Sequence, residues 1–139
     1  MNKVYTGGTF DLFHSGHVNL LKRCSEIAAG GQVIVSLNTD EFIQEYKGKP
    51  PVCNYEERKA VLESCRYVDV VIPNYGGVDS KIAIEISMPN YLVIGSDWAK
   101  KDYYTQMGFT QEWLDERGIG LAYVPYTKTI STTAIKGRM

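Results

Sequence analysis

The chain has 139 residues, 44% of them hydrophobic, which is enough to bury a core without staples, and a single domain over residues 1–139 is expected. A net charge of -1 and a pI near 6.1 exclude a general nucleic-acid binder, which needs a broadly basic surface to displace counterions, so any phosphate binding must be local. Cys24, Cys53 and Cys65 have no C-x-x-C spacing, and neither a signal sequence nor an apolar run long enough for a membrane span is visible, so a reduced, cytoplasmic chain is expected, with no disulfide framework and no membrane partner.

Short β-rich runs alternate with amphipathic stretches, the rhythm of an α/β fold with an open, mostly parallel five-stranded sheet and helices on both faces. Lys3 to Thr6 reads as the first strand. A turn from Gly7 to His14 then leads into a helix whose apolar face carries Val18, Leu21, Cys24 and Ala28, ended by Gly30 and Gly31. Gln32 to Leu37 is the second strand, and Thr39 caps a short helix with Asp40 and Glu41 in its first turn. Lys47 to Val52, with Gly48, Pro50 and Pro51, reads as loop. Asn54 to Glu57 has the spacing of a capping box and opens a helix running to Arg66. Val68 to Ile72 is the third strand, stopped by Pro73. After a turn at Asn74 to Gly77, Ile82 and Ile86 mark the inner face of a helix ended by Pro89. Tyr91 to Ile94 is the fourth strand, with Gly95 at its carboxyl end, where open α/β sheets bind ligands. The polar, aromatic run from Asp97 to Phe109 is long enough for an active-site segment. Thr110 to Arg117 forms a helix closed by Gly118, Leu121 to Val124 a fifth strand, and Ser131 starts a last helix.

The chemistry concentrates in the turn Gly7-Gly8-Thr9-Phe10-Asp11-Leu12-Phe13-His14-Ser15-Gly16-His17. Glycines let backbone approach a ligand, and the helix that follows turns unpaired N–H groups toward an anion. His14 and His17, three apart at the helix start, can point the same way into that anion site, and Gly16 between them has no side chain to obstruct a phosphate. Such a pair suits nucleotidyl transfer. The attacking phosphate oxygen is already an anion and needs no strong base, so the protein's task is to stabilise charge growing on the α-phosphorus and the departing pyrophosphate. Two histidines without a further His or Cys cluster do not suggest a structural metal.

The run from Gly8 to His17 resembles the H-x-G-H signature of the cytidylyltransferase superfamily, and the whole chain is similar to the bacterial glycerol-3-phosphate cytidylyltransferases. Tyr55-Glu56-Glu57-Arg58-Lys59 with Arg66-Tyr67-Val68-Asp69 resembles a second motif of that family. Gly95-Ser96-Asp97-Trp98 resembles its fourth-strand motif, and Ile130-Ser131-Thr132-Thr133 the end of its R-T-x-G-I-S-T-T segment. The resemblance implies a Rossmann-like domain that takes CTP as its Mg2+ complex and a small phosphorylated alcohol such as glycerol 3-phosphate, and that forms a homodimer. It implies that His14 and His17 hold the triphosphate, with Gly8, Thr9, Phe10, Asp11 and Gly16 shaping the pocket around them. Lys47 would reach the phosphates as a point charge, and Arg66 would bind phosphate near the dimer interface. Gly95, Asp97 and Trp98 would border the nucleoside, and Ser131 and Thr132 would donate to the triphosphate.

Arg58 and Lys59 read equally well as the solvated face of a helix, and Lys49 as loop solvation. Trp113, at helical spacing from Phe109, reads as core. Tyr126 stands where the family segment has arginine; tyrosine cannot reproduce a bidentate phosphate contact, and Lys128 is the nearby cation that would supply the charge. That departure keeps open an adenylyltransferase using ATP on a sugar phosphate, and a nucleotide-binding module without catalysis.

Overall fold

The computed structural model describes residues 1–95 and 108–124. Five strands, β1 (Lys3–Gly8), β2 (Gln32–Leu37), β3 (Val70–Pro73), β4 (Tyr91–Gly95) and β5 (Gly120–Val124), form one sheet in the order β3-β2-β1-β4-β5. All four pairings are parallel. The helices are α1 (Ser15–Ala28), α2 (Asp40–Lys47), α3 (Tyr55–Glu63), α4 (Lys81–Ser87) and α5 (Gln111–Glu116). The expected α/β architecture is present. The last helix expected from Ser131 lies outside the described residues, as does the segment after Gly95 as far as residue 107.

Buried strands between two helical layers are largely apolar on both faces, and β2 follows suit: Val33, Val35 and Leu37 enter one core, and Ile34 is buried on the other side, where Ser36 is the one buried polar residue of the strand. The first core joins Val4, Phe10, Leu21, Cys24, Ala28, Leu62, Val93 and Val124, and so seats α1 and α3. The second joins Tyr5, Ala83, Ile84, Leu92, Ile94, Phe109, Leu114 and Ile119, and seats α4 and α5 on the opposite face. Burying a leucine such as Leu21 contributes about 1.5–3 kcal/mol. Phe109 and Trp113 stack at 5.8 Å and Trp113 packs on the second core, as expected, with the Arg117 guanidinium 4.0 Å from its ring centroid.

Local capping fixes the helix starts. Thr39 accepts from the N–H of Phe42, Thr110 from that of Trp113, and Asn54 and Glu57 close a reciprocal box. Several expectations need correction. β1 runs on to Gly8, because Gly7 and Gly8 pair with Ser36 and Leu37. Lys47 belongs to the last turn of α2, and the chain leaves the helix only at Gly48, whose φ of 76° is left-handed. α3 ends at Glu63, short of Arg66. β3 starts late, because Asp69 turns back onto Val33, accepting its N–H at 2.8 Å and donating its own to the Val33 carbonyl. Pro73 is the strand's last residue, paired with Leu37. Ile82 and Ile86 are 46% and 60% exposed, and Ala83, Ile84 and Ser87 face inward instead. Both sets have helical spacing, and only the position of the sheet decides between them.

Candidate functional site

The sheet order reverses between β1 and β4, since the chain builds outward through β2 and β3 before returning to the other side of β1. The crevice at the carboxyl ends of β1 and β4 is therefore the natural ligand position of this topology. On one side of it is Gly95, with open space where a side chain would be. On the other is the turn from Gly8 to His14.

That turn is held under tension. Phe10 and Leu12 have φ of 50° and 55°, a left-handed conformation that non-glycine residues seldom adopt unless their surroundings impose it. Phe10 is imposed on by the core, in which it is 6% exposed. Its ring also closes on the backbone of Gly8: a Cβ there would come within 3.0 Å of Phe10 Cε2. Asp11 is buried and accepts the N–H groups of Val52 and Cys53 at 2.7 and 2.9 Å, tying the turn to the segment before α3.

His14 is the N-cap of α1 and His17 its third residue, and they form a capping box in which histidine replaces the usual hydroxyl and carboxylate. Nδ1 of His14 accepts from Gly16 N–H at 3.0 Å, and Nδ1 of His17 from His14 N–H at 3.1 Å. An Nδ1 that accepts carries no proton, so this network assigns both rings as neutral imidazoles with the hydrogen on Nε2. The rings stack with centroids 3.9 Å apart and planes inclined by 24°. Phe10 and Phe13 flank His17 at 5.3 and 5.4 Å. Desolvation lowers the pKa of both, His17 to about 4, where the neighbouring His14 lowers it further and Asp11 opposes the shift. The site thus presents two adjacent N–H donors that are uncharged at neutral pH.

The sequence left Arg58 open between a family motif and a solvated helix face, and gave it no structural role. It is 2% exposed, not the solvated helix face that its position allowed. Its guanidinium donates to the carbonyls of Thr9, Asn38 and Cys53 and to the Asp40 carboxylate. It therefore fastens the Gly8–His14 turn, the end of β2, the start of α2 and the approach to α3 to one point. Thr9 is also reached from β2's end, its hydroxyl accepting from Asn38 Nδ2 at 3.0 Å.

Of the residues singled out from sequence, the structure gathers Gly8, Thr9, Phe10, Asp11, His14, Gly16 and His17 into this turn and its helix, with Gly95 across the crevice. Lys47 is exposed at the end of α2, its ammonium 5.6 Å from the Tyr46 ring centroid. Arg66 is exposed in the turn between α3 and β3. Asp97, Trp98, Lys128, Ser131 and Thr132 lie outside the described residues. Among the described residues no three His, Cys, Asp or Glu side chains converge as metal ligands, and no helix is long and apolar enough to cross a membrane.

A parallel sheet whose order reverses beside a strained strand-to-helix turn bearing two stacked histidines is the architecture of a Rossmann-like domain. The chain belongs to the cytidylyltransferase-like family, whose model matches residues 5–138, and it is a nucleotidyltransferase. It is similar to glycerol-3-phosphate cytidylyltransferase of Staphylococcus aureus (strain NCTC 8325 / PS 47), 40% identical over 98% of this chain and 93% of that protein. It is likewise similar to the protein of that name from Bacillus subtilis (strain 168), 39% identical over 98% of this chain and 95% of the other. Among solved structures, the lipopolysaccharide core biosynthesis protein from Thermoplasma volcanium GSS1 superposes with a TM-score of 0.70 at 25% identity, covering 92% of this chain and 98% of that one.

Proposed function

We propose that this protein transfers the cytidylyl group of CTP to glycerol 3-phosphate, giving CDP-glycerol and pyrophosphate. The observation that carries the reading is the likeness, near 40% identity over 98% of the chain, to relatives bearing the name of that activity. The turn's geometry supplies the chemistry. A phosphate oxygen of the acceptor attacks the α-phosphorus of CTP, the bond from that phosphorus to the bridging oxygen of the pyrophosphate breaks, and pyrophosphate departs with the electron pair. His14 and His17 donate their Nε2–H groups to the oxygens on which charge grows, and being neutral at rest they need not shed a counterion first. Gly8 and Gly16 keep the backbone close to the phosphates, while Thr9, Phe10 and Asp11 hold the turn's shape.

In this reading Mg2+ arrives as part of the nucleotide substrate, with phosphate oxygens and water as its ligands. Lys47 and Arg66 add positive charge at the phosphates. Gly95, Asp97 and Trp98 border the nucleoside, and Lys128, Ser131 and Thr132 meet the triphosphate. The protein works in the cytoplasm as a homodimer, with Arg66, exposed after α3, toward the subunit boundary.

The experiment is pyrophosphate release with each of the four nucleoside triphosphates against a panel of phosphorylated alcohols. CTP with glycerol 3-phosphate should give the highest kcat/KM, and His14→Ala or His17→Ala should each lower kcat about 100- to 1000-fold. Preference for ATP would overturn the cytidylyl assignment. Mass by light scattering tests the dimer, which a monomer at assay concentration would refute.

A further inference from the structure

We infer that Tyr46 binds the phosphate of the acceptor, using the hydroxyl that it shares with Thr9. The inference rests on the reading of a phosphorylated-alcohol acceptor given above. Its starting point is a chain of side-chain hydrogen bonds with a defined direction. Asn74 Nδ2 donates to the Gly77 carbonyl at 2.9 Å and to Asn38 Oδ1 at 3.0 Å, which fixes the amide of Asn38. Asn38 Nδ2 then donates to Thr9 Oγ1 at 3.0 Å. Thr9 Oγ1 in turn lies 3.3 Å from the Tyr46 hydroxyl, and either of the two can be the donor. If Thr9 donates, the Tyr46 proton is left for a ligand; if Tyr46 donates, the Thr9 proton is. The pair therefore holds one hydroxyl hydrogen for an incoming oxygen, and a donor at the end of such a chain is strengthened by the bonds behind it.

Position decides which substrate that oxygen belongs to. The nucleotide takes the crevice where the sheet order reverses, between β1 and β4. Tyr46 belongs to α2, which follows β2, the neighbour of β1 on the side away from β4, and its hydroxyl reaches that of Thr9 just past the end of β1. The second substrate has that flank left to it. The ring is 48% exposed yet held in place, against Phe42 at 4.9 Å and under the Lys47 ammonium at 5.6 Å from its centroid. A hydroxyl at the edge of a ring that carries an ammonium over its face suits a phosphate monoester dianion, and no neutral part of an alcohol requires both. Tyrosine at this position is thus more than a cover for Phe42, since phenylalanine would cover it equally.

Tyr46→Phe separates the two roles. It removes one oxygen and leaves the ring contacts in place. We expect the KM for glycerol 3-phosphate to rise about tenfold, as for one hydrogen bond to a charged group. The KM for CTP should stay within about twofold and kcat nearly constant at saturating acceptor. Any other phosphorylated alcohol that the enzyme accepts should show the same factor, because the contact is with the group common to all. An unchanged acceptor KM, or an equal rise in both KM values, would overturn the inference while leaving the reaction intact. An effect confined to one acceptor would also overturn it, since the hydroxyl would then be reading the alcohol. A wild-type enzyme inactive with every phosphorylated alcohol would remove the reading of the reaction and this inference with it.

Discussion

Nη2 of Arg58 lies 2.6 Å from Oδ1 of Asp40, and the other oxygen of that carboxylate accepts the first N–H of α3, from Tyr55, at 3.1 Å. One ion pair thus aligns the starts of α2 and α3. The same guanidinium holds the Thr9 carbonyl at 2.9 Å, so the Gly8–His14 turn is fastened by a side chain from α3.

Arg58→Lys keeps the charge and loses the fork. An ammonium cannot reach three carbonyls and a carboxylate placed around a plane, so buried acceptors are left unmet. The variant should lose about 3 kcal/mol in urea unfolding and about 10 °C in Tm. Activity should fall even at temperatures where it is fully folded. A variant of unchanged stability would show that the guanidinium is not the fastening point.

Stability should decline on the acid side. An unfolded His17 takes up its proton near the usual 6.5, whereas the folded one does so only near 4. Between those values the unfolded chain binds the extra proton, so stability is whole above pH 6.5 and is lost as the pH falls toward 4, by up to about 3 kcal/mol. His14 shifts in the same direction. Protonating either ring also places a hydrogen on an Nδ1 that now accepts one, undoing the helix cap. Unfolding measured from pH 7 to 4 on wild type and His17→Asn should give a shallower slope for the variant; parallel slopes would contradict it.

Asp11→Asn replaces an acceptor with an amide that can satisfy only one of the Val52 and Cys53 N–H groups through its remaining oxygen. Its NH2 group would confront the other. A loss of about 1–3 kcal/mol is expected. Proteolysis should cut faster in residues 48–54, because that segment loses its tie to the turn. Equal cutting in both proteins would argue against the tie.

Ile84→Ala should cost about 2–4 kcal/mol, and Ile86→Ala less than about 0.5 kcal/mol, by denaturant unfolding. The reverse order would restore the helix orientation expected from sequence, for Ile84 is fully buried and Ile86 60% exposed.

These contrasts show what the sequence could and could not disclose. Thr39 and Asn54 were legible as caps because capping is decided within four residues. The succession of strands along the chain and the turn before α1 were legible in outline, because alternation and glycine spacing are local too, whereas the order of the strands in the sheet was not. The face of α4 was not, since two sets of residues share the helical period and only a distant sheet selects one. Arg58 was illegible for a stronger reason. Its partners Thr9, Asn38, Asp40 and Cys53 are up to 49 positions away, and in a helix where Arg58 stands next to Lys59 and among glutamates nothing local shows which cation turns inward.

The place of Pro73 carries a last consequence. Asn74 sends its N–H inward to Leu37, so the alternating backbone turns the nitrogen of Pro73 to the outer side of the sheet. β3 is a border strand, and a foreign strand docking alongside would find, at that step, a ring where it needs a hydrogen. A proline that looked like a simple stop signal therefore guards the rim of the molecule against growth into fibrous aggregates, at a point where its missing hydrogen deprives the native ladder of nothing.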